Sequence, residues 1–237
     1  MRRLMGSVLA LVLLASTGGA LAATPLKIVV YGGTGNIGQR IVHEALERGH
    51  EVTVVVRHPT GLTPGPHLHV IEGDVLDRDQ LARTIAGSDV VISAVSFRQP
   101  PDPAAYRRAA ELFVSVLSGM GPRAPRLIWV GGAGSLRDAS GALVLERIPP
   151  AHRGEVQGQK DALDYLRASG DSIRWTYFSP AGTIAKGTRT GKFRLGDDQL
   201  VTDAQGNSRI SFEDYAVAVI DEAQKPAHIH RRFTIGY

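Results

Sequence analysis

The sequence predicts an α/β fold, a single domain built on a doubly wound parallel sheet. Three observations carry that expectation. Short β-branched apolar runs alternate with longer stretches whose apolar residues recur at helical spacing. Glycine and proline punctuate the joins between them. The 237 residues, 43% hydrophobic and 21% charged, suit one large globular domain with an ordinary core. Strands that alternate with helices imply βαβ units and therefore parallel pairing.

Leu26 to Tyr31 is the first buried strand. Ile37 to Arg48 follows as a helix, with Ile37, Ile41, Val42, Ala45 and Leu46 on one face and Gly49 as its stop. Glu51 to Val56 and Leu68 to Ile71 are the next strands, separated by a loop containing Pro59, Gly61, Pro64, Gly65 and Pro66. Asp77 to Ala86 reads as a helix with Asp77 as N-cap. Asp89 to Ser93 is a strand and Ala104 to Leu117 a helix. Arg126 to Val130 is a strand, and Arg153 to Ala168 a helix. Ile173 to Phe178, a helix over Phe212 to Glu222 and a closing strand over Arg232 to Ile235 complete the series. The polar, glycine-rich stretch 181–211 is expected to form a small C-terminal, substrate-side cap over the strand ends.

Residues 1–22 stand apart from this pattern. Arg2 and Arg3 precede an uninterrupted apolar run from Val8 to Ala15, and Ala20-Leu21-Ala22 offers small residues for cleavage. This is the pattern of a secretory signal, with an apolar run shorter than the roughly 20 residues that span a bilayer. A cleaved signal predicts an exported, periplasmic protein without integral membrane association. An uncleaved anchor is one alternative. A misassigned start, implying a cytoplasmic protein, is the other, although no methionine lies between Met5 and Met120. The mature domain spans 23–237.

Composition narrows the partners. The formal net charge is +4, and two of those charges are Arg2 and Arg3, which leaves +2 for the domain. No basic run marks one face, so a nucleic-acid partner is not expected. Cysteine is absent, which excludes thiolate chemistry and disulfides. The histidines do not cluster with carboxylates at a ligating spacing, and no metal is predicted. A small-molecule substrate and a monomer or dimer are expected.

The chemistry lies in Gly32-Gly33-Thr34-Gly35-Asn36-Ile37-Gly38, directly between the first strand and the first helix. Gly32 permits the tight turn, Gly35 lets a pyrophosphate approach the backbone, and Gly38 lets the helix pack close to the sheet. The helix N-terminus offers unpaired N–H groups and the positive end of its dipole to phosphate. In this strand–loop–helix context the glycine spacing predicts a Rossmann-type dinucleotide site. Arg57 closes the second strand, where an NAD-preferring site usually carries an acid. A cation there suits the 2′-phosphate of NADP(H), with NAD(H) as the alternative if Arg57 is only a solvated strand end. Asp74 and Val75 follow the third strand, where they suit the adenine amino group. Asp74 equally suits a helix cap. Ala94, at the small-residue end of the fourth strand, leaves room beside the dinucleotide.

These motifs, with Gly49-His50-Glu51-Val52-Thr53 and Gly73-Asp74, resemble the atypical short-chain dehydrogenase/reductase superfamily. Within it the chain is most similar to the NAD(P)H-binding group of biliverdin reductase B (flavin reductase) and the NmrA-like proteins. Val130-Gly131-Gly132-Ala133-Gly134-Ser135, Tyr177-Phe178-Ser179-Pro180-Ala181 and Thr190-Gly191-Lys192-Phe193-Arg194 extend the likeness over about residues 26 to 237. The resemblance implies that Gly132, Ser135, Ser179, Pro180 and Ala181 border the nicotinamide. Ser135 reads equally well as a turn serine.

The chain departs from the superfamily's Tyr-x-x-x-Lys acid. Lys160 lies on the corresponding helix, but position 156 is Val. Ser135, Lys160 and His152, the last expected in a loop after Pro149-Pro150, are the remaining catalytic candidates, with Tyr106 and Tyr177 behind them. Three functions stay open. The first is an NADP(H)-dependent oxidoreductase passing hydride to a flavin, quinone or similar acceptor. The second is a non-catalytic redox sensor of NmrA type. The third is a sugar-nucleotide epimerase or dehydratase, which the missing tyrosine disfavours.

Overall fold

The computed structural model describes residues 24–59, 61–98 and 101–237. The signal-like stretch 1–22 lies outside them. Ten strands and five helices follow one another as β1 (Lys27–Tyr31), α1 (Gly38–Glu47), β2 (Glu51–Val56), β3 (Leu68–Glu72), α2 (Arg78–Ile85), β4 (Val90–Ser93), α3 (Pro103–Met120), β5 (Arg126–Val130), α4 (Pro150–Ala168), β6 (Trp175–Ser179), β7 (Thr183–Ala185), β8 (Arg194–Gly196), β9 (Arg209–Ser211), α5 (Phe212–Gln224) and β10 (Arg231–Gly236).

Eight strands form one sheet in the order β3-β2-β1-β4-β5-β6-β10-β8. All pairs are parallel except β10 with β8. Every residue of β4, β5 and β6 is buried, as a sheet covered on both faces requires. Alternation then sorts side chains to the two faces. Ile28 and Val30 join the core beneath α1 and α5, while Val29 and Tyr31 join the core beneath α2, α3 and α4. Asp77 caps α2 as expected, its carboxylate accepting from Gln80 N at 3.0 Å.

The strand order reverses between β1 and β4, so the carboxyl ends of β1, β2, β3 and β4 open a crevice at one edge of the sheet. Two local expectations need correction. Helix α4 starts at Pro150 rather than Arg153, because proline suits a first helical turn, and His152 is therefore helical. The stretch 181–211 is not wholly a separate cap. β7 and β9 pair as a small ribbon, but β8 pairs antiparallel with β10 and forms the sheet's edge. Three residues are too few to show a strand period, and the partner lies some forty positions later in the chain. No helix of the described residues is long and apolar enough to cross a membrane.

Candidate functional site

The glycine loop is held from two sides. Gly32 adopts φ +80°, and a Cβ there would come within 2.5 Å of the Ala94 carbonyl oxygen, so β1 and β4 leave room for no side chain. A Cβ on Gly38 would run into the Gly32 carbonyl oxygen, which packs the start of α1 against the exit of β1. Gly35 differs. A Cβ there would meet only the Gly32 oxygen, at 3.3 Å, and its other sides are open. The N–H groups of Thr34, Asn36 and Ile37 find no acceptor among the described residues. Backbone donors of that kind, at the positive end of the ten-residue helix α1, suit a phosphate.

Beside the loop lies an open cleft of about 230 Å³. Of the residues expected from the sequence, it brings together Gly32, Thr34, Gly35, Arg57, Asp74, Val75 and Ala94. Arg57 is exposed at its rim and makes no ion pair among the described residues, so its guanidinium is available to a ligand. Asp74 is not the cap of α2, since Asp77 fills that role. Its carboxylate accepts from Leu76 N at 2.9 Å and holds its own turn. Gln80 supports that turn from behind, accepting from Asp74 N at 3.0 Å and donating to the Glu72 carbonyl at 2.7 Å.

The sequence reading missed Tyr31 and Ser96-Phe97 of the lining. The Tyr31 hydroxyl is buried, and burial pushes its pKa up to about 12. Phe97 N donates to the Tyr106 hydroxyl at 3.2 Å, and the two rings meet edge to face. Tyr106 is therefore a prop for the β4 loop, and burial raises its pKa. Tyr177 is a second prop. Its hydroxyl accepts from Gly132 N at 3.1 Å and donates to the Gln159 carbonyl at 3.0 Å, and burial raises its pKa as well.

The remaining candidates lie elsewhere. Asn36, Ile37 and Gly38 continue the loop outside the cleft's lining. Ser135 sits in a short 3-10 turn after β5, and Ser179 and Pro180 lie at the end of β6, further along the same sheet edge. Both serines converge on Arg232 of β10, a residue that the sequence reading did not single out. Its Nη1 lies 3.4 Å from Ser135 Oγ and 3.5 Å from Ser179 Oγ. Its Nε donates to Asp198 at 2.8 Å. Burial alone would raise the Asp198 pKa, but the hydrogen bond and charge of Arg232 hold it below the usual carboxylate range. A buried arginine on a strand end reads as a solvated charge from sequence, and only the fold turns it inward.

Helix α4 offers no tyrosine–lysine pair. Val156 fills the space against Gly134, where a Cβ would collide with it. Lys160 pairs with Asp164 at 2.6 Å. His152 is exposed in the first turn.

A family model described as NAD(P)H-binding matches residues 32–223, from the first glycine of the loop into α5. The chain belongs to this NAD(P)H-binding family. Among solved structures, the protein is 38% identical to a candidate exported protein from Burkholderia pseudomallei, with TM-score 0.78, covering 90% of this chain and 100% of the other. It is 38% identical to a candidate epimerase from Bacteroides thetaiotaomicron, with TM-score 0.79, covering 90% and 97%. It is 33% identical to a candidate NADH-flavin reductase from Streptococcus pneumoniae, with TM-score 0.78, covering 89% and 99%. This NAD(P)H-binding protein thus has the Rossmann-type α/β fold that its motifs predicted.

Proposed function

We propose that the protein is an NADP(H)-dependent reductase that delivers hydride to a flavin, quinone or similar planar acceptor. The observation that carries the cofactor preference is Arg57, a guanidinium with no ion pair among the described residues at the rim of the cleft. It pairs with the 2′-phosphate in this reading. The N–H groups of Thr34, Asn36 and Ile37 hold the pyrophosphate, with Gly35, Gly32 and Gly38 shaping the approach. Asp74 and Val75 bind adenine, and Ala94 leaves room beside the dinucleotide. Ser179 and Pro180 lie beside the nicotinamide.

When bound, the reduced cofactor supplies the hydride with its electron pair. The chain then has to orient the acceptor and hold the charge that develops on it. With Val156 in place of a tyrosine, a proton from solvent completes the reaction, and geometry matters more than a tuned acid. The likeness to a candidate NADH-flavin reductase supports this reaction class. The likeness to a candidate epimerase supports the third reading, but the standard epimerase mechanism wants the tyrosine that Val156 replaces. The same valine favours the sensor reading.

An assay of NADPH oxidation against a panel of flavins and quinones separates the two main readings. Turnover with NADPH preferred over NADH is expected. Tight NADPH binding with no turnover across the panel would instead identify a sensor.

We also propose that residues 1–22 are an export signal, a reading that the candidate exported relative supports. Folding around the cofactor before export would reconcile that route with a nicotinamide site. N-terminal sequencing of the native protein should find a start near residue 23, and an intact Met1 would refute cleavage.

A further inference from the structure

We infer that a second small-molecule site lies at the far edge of the sheet, where His228 and Lys225 hold the carboxyl group of an apolar acid. A cavity of about 410 Å³ opens there between β8, α5 and the loop that leads into β10. That volume is within the usual range for a ligand pocket. The cavity shares no residue with the cleft at the glycine loop, which lies at the other end of the strand order. It therefore stands whether or not the protein is a reductase.

One wall is apolar. Phe193 and Leu195 contribute from the β8 side, Ala218 from α5 and Phe233 from β10. Leu195 is 50% exposed, the most of any large apolar side chain among the described residues. A flat hydrocarbon body in the cavity would cover it and remove that surface from water.

The polar wall is held in place from below. Glu222 is buried, and its carboxylate accepts from Arg126 Nη1 at 3.1 Å and from the N–H groups of Ala227 and His228 at 3.2 and 3.1 Å. His228 Nδ1 lies 2.8 Å from the same carboxylate. An ionised carboxylate only accepts, so Nδ1 carries the hydrogen of that bond. The His228 ring also stacks on Phe233, with centroids 4.0 Å apart, and Phe233 stacks in turn on Phe178 at 3.9 Å. Two constraints thus fix the imidazole before any ligand arrives, which lowers the ordering cost of binding. Its remaining nitrogen, Nε2, has no partner among the described residues and is open to solvent.

Charge selects the ligand. Two acids line the cavity, and each has its own cation. Glu222 pairs with Arg126, and Asp221 pairs with Arg48 at 2.6 Å. Lys225 is exposed on the same wall and has no ion pair among the described residues. The charge left over is therefore positive and sits beside Nε2. A carboxylic acid meets both groups: one oxygen shares a proton with Nε2, whichever partner brings it, and the carboxylate charge faces the Lys225 ammonium.

The test uses the full protein and 2-naphthoate as the probe, followed by NMR of the histidine rings. Saturable binding with a Kd at or below about 1 mM is expected for a ligand of this size. The His228 ring signals, assigned by their loss in His228→Gln, should shift, and saturating NADP+ should leave the Kd unchanged. The neutral 2-naphthamide, of the same shape, should bind about tenfold more weakly, as should 2-naphthoate to Lys225→Glu and Leu195→Asp. Both of those substitutions are at exposed positions, so they decide the matter even if His228→Gln fails to fold. Absence of binding, displacement of the probe by NADP+, or affinity unchanged in both exposed variants would overturn the proposal. So would equal affinity for acid and amide. A dimer in sedimentation that Leu195→Asp dissociates, together with no binding of the probe, would also overturn it and assign the cavity to contact between copies of the chain.

Discussion

Val156 of α4 packs against Gly134 of the turn after β5, so closely that a Cβ on Gly134 would overlap Val156 Cγ1. The absence of the superfamily's tyrosine is thus built into the packing of the β5–α4 connection. Restoring it by Val156→Tyr should not create a tyrosine–lysine pair, because Lys160 is engaged with Asp164. The larger ring should instead cost about 1–3 kcal/mol of stability through overpacking, read by chemical denaturation. A variant of native stability with a new alkaline limb in its rate profile would contradict this.

Arg57→Asp tests the choice of cofactor. A charge-assisted contact to phosphate is worth about 1.5–3 kcal/mol, so NADPH affinity should fall roughly 10- to 100-fold. NADH affinity should change little or improve. Equal losses, measured by fluorescence titration of both cofactors, would mean that Arg57 does not touch the 2′-phosphate.

Two glycines of one loop should respond differently to alanine. Gly38→Ala drives a Cβ into the Gly32 carbonyl oxygen, and should lower the melting temperature by several degrees. At Gly35 the added Cβ has open space apart from the Gly32 oxygen at 3.3 Å. Gly35→Ala should keep nearly native stability yet bind NADPH at least tenfold more weakly, because the methyl occupies the pyrophosphate's approach. A Gly35→Ala protein with unchanged affinity would move the phosphate elsewhere.

Acid sensitivity is expected from His50. Its ring is fully buried, Nδ1 accepts from Leu26 N at 3.1 Å, and Nε2 has no partner among the described residues. Burial, with a smaller contribution from Arg48, lowers its pKa below the usual 6.5. The unfolded chain therefore binds the proton more readily than the folded one. Stability is complete above about pH 6.5 and is lost as pH falls toward the folded pKa. His50→Asn keeps an acceptor for Leu26 N but cannot titrate, so urea midpoints between pH 7 and 5 should slope less in the variant. Parallel slopes would assign the acid loss to other groups.

The half of the molecule around the glycine loop was legible because its signals are local. The β1–α1–β2 unit shows its apolar runs, its helical face and its glycines within some thirty residues, and Asp77 announces α2 by a capping preference that the structure repeats. The far end of the sheet, around β6, β8 and β10, was not legible for the opposite reason. The edge position of β8 depends on β10, and the inward turn of Arg232 depends on Asp198, Ser135 and Ser179, each distant in sequence. His152 was misplaced because two prolines read equally as a loop or as a helix start.

The strand order also has a consequence in time. Every residue that lines the cleft lies between Tyr31 and Phe97, whereas Arg232 arrives on β10. Chains emerge from the ribosome N-terminus first, at about 5–20 residues per second. A nascent chain therefore has every residue of the cleft in hand several seconds before Arg232 is made, and the strand that completes the far half of the sheet is the last to arrive.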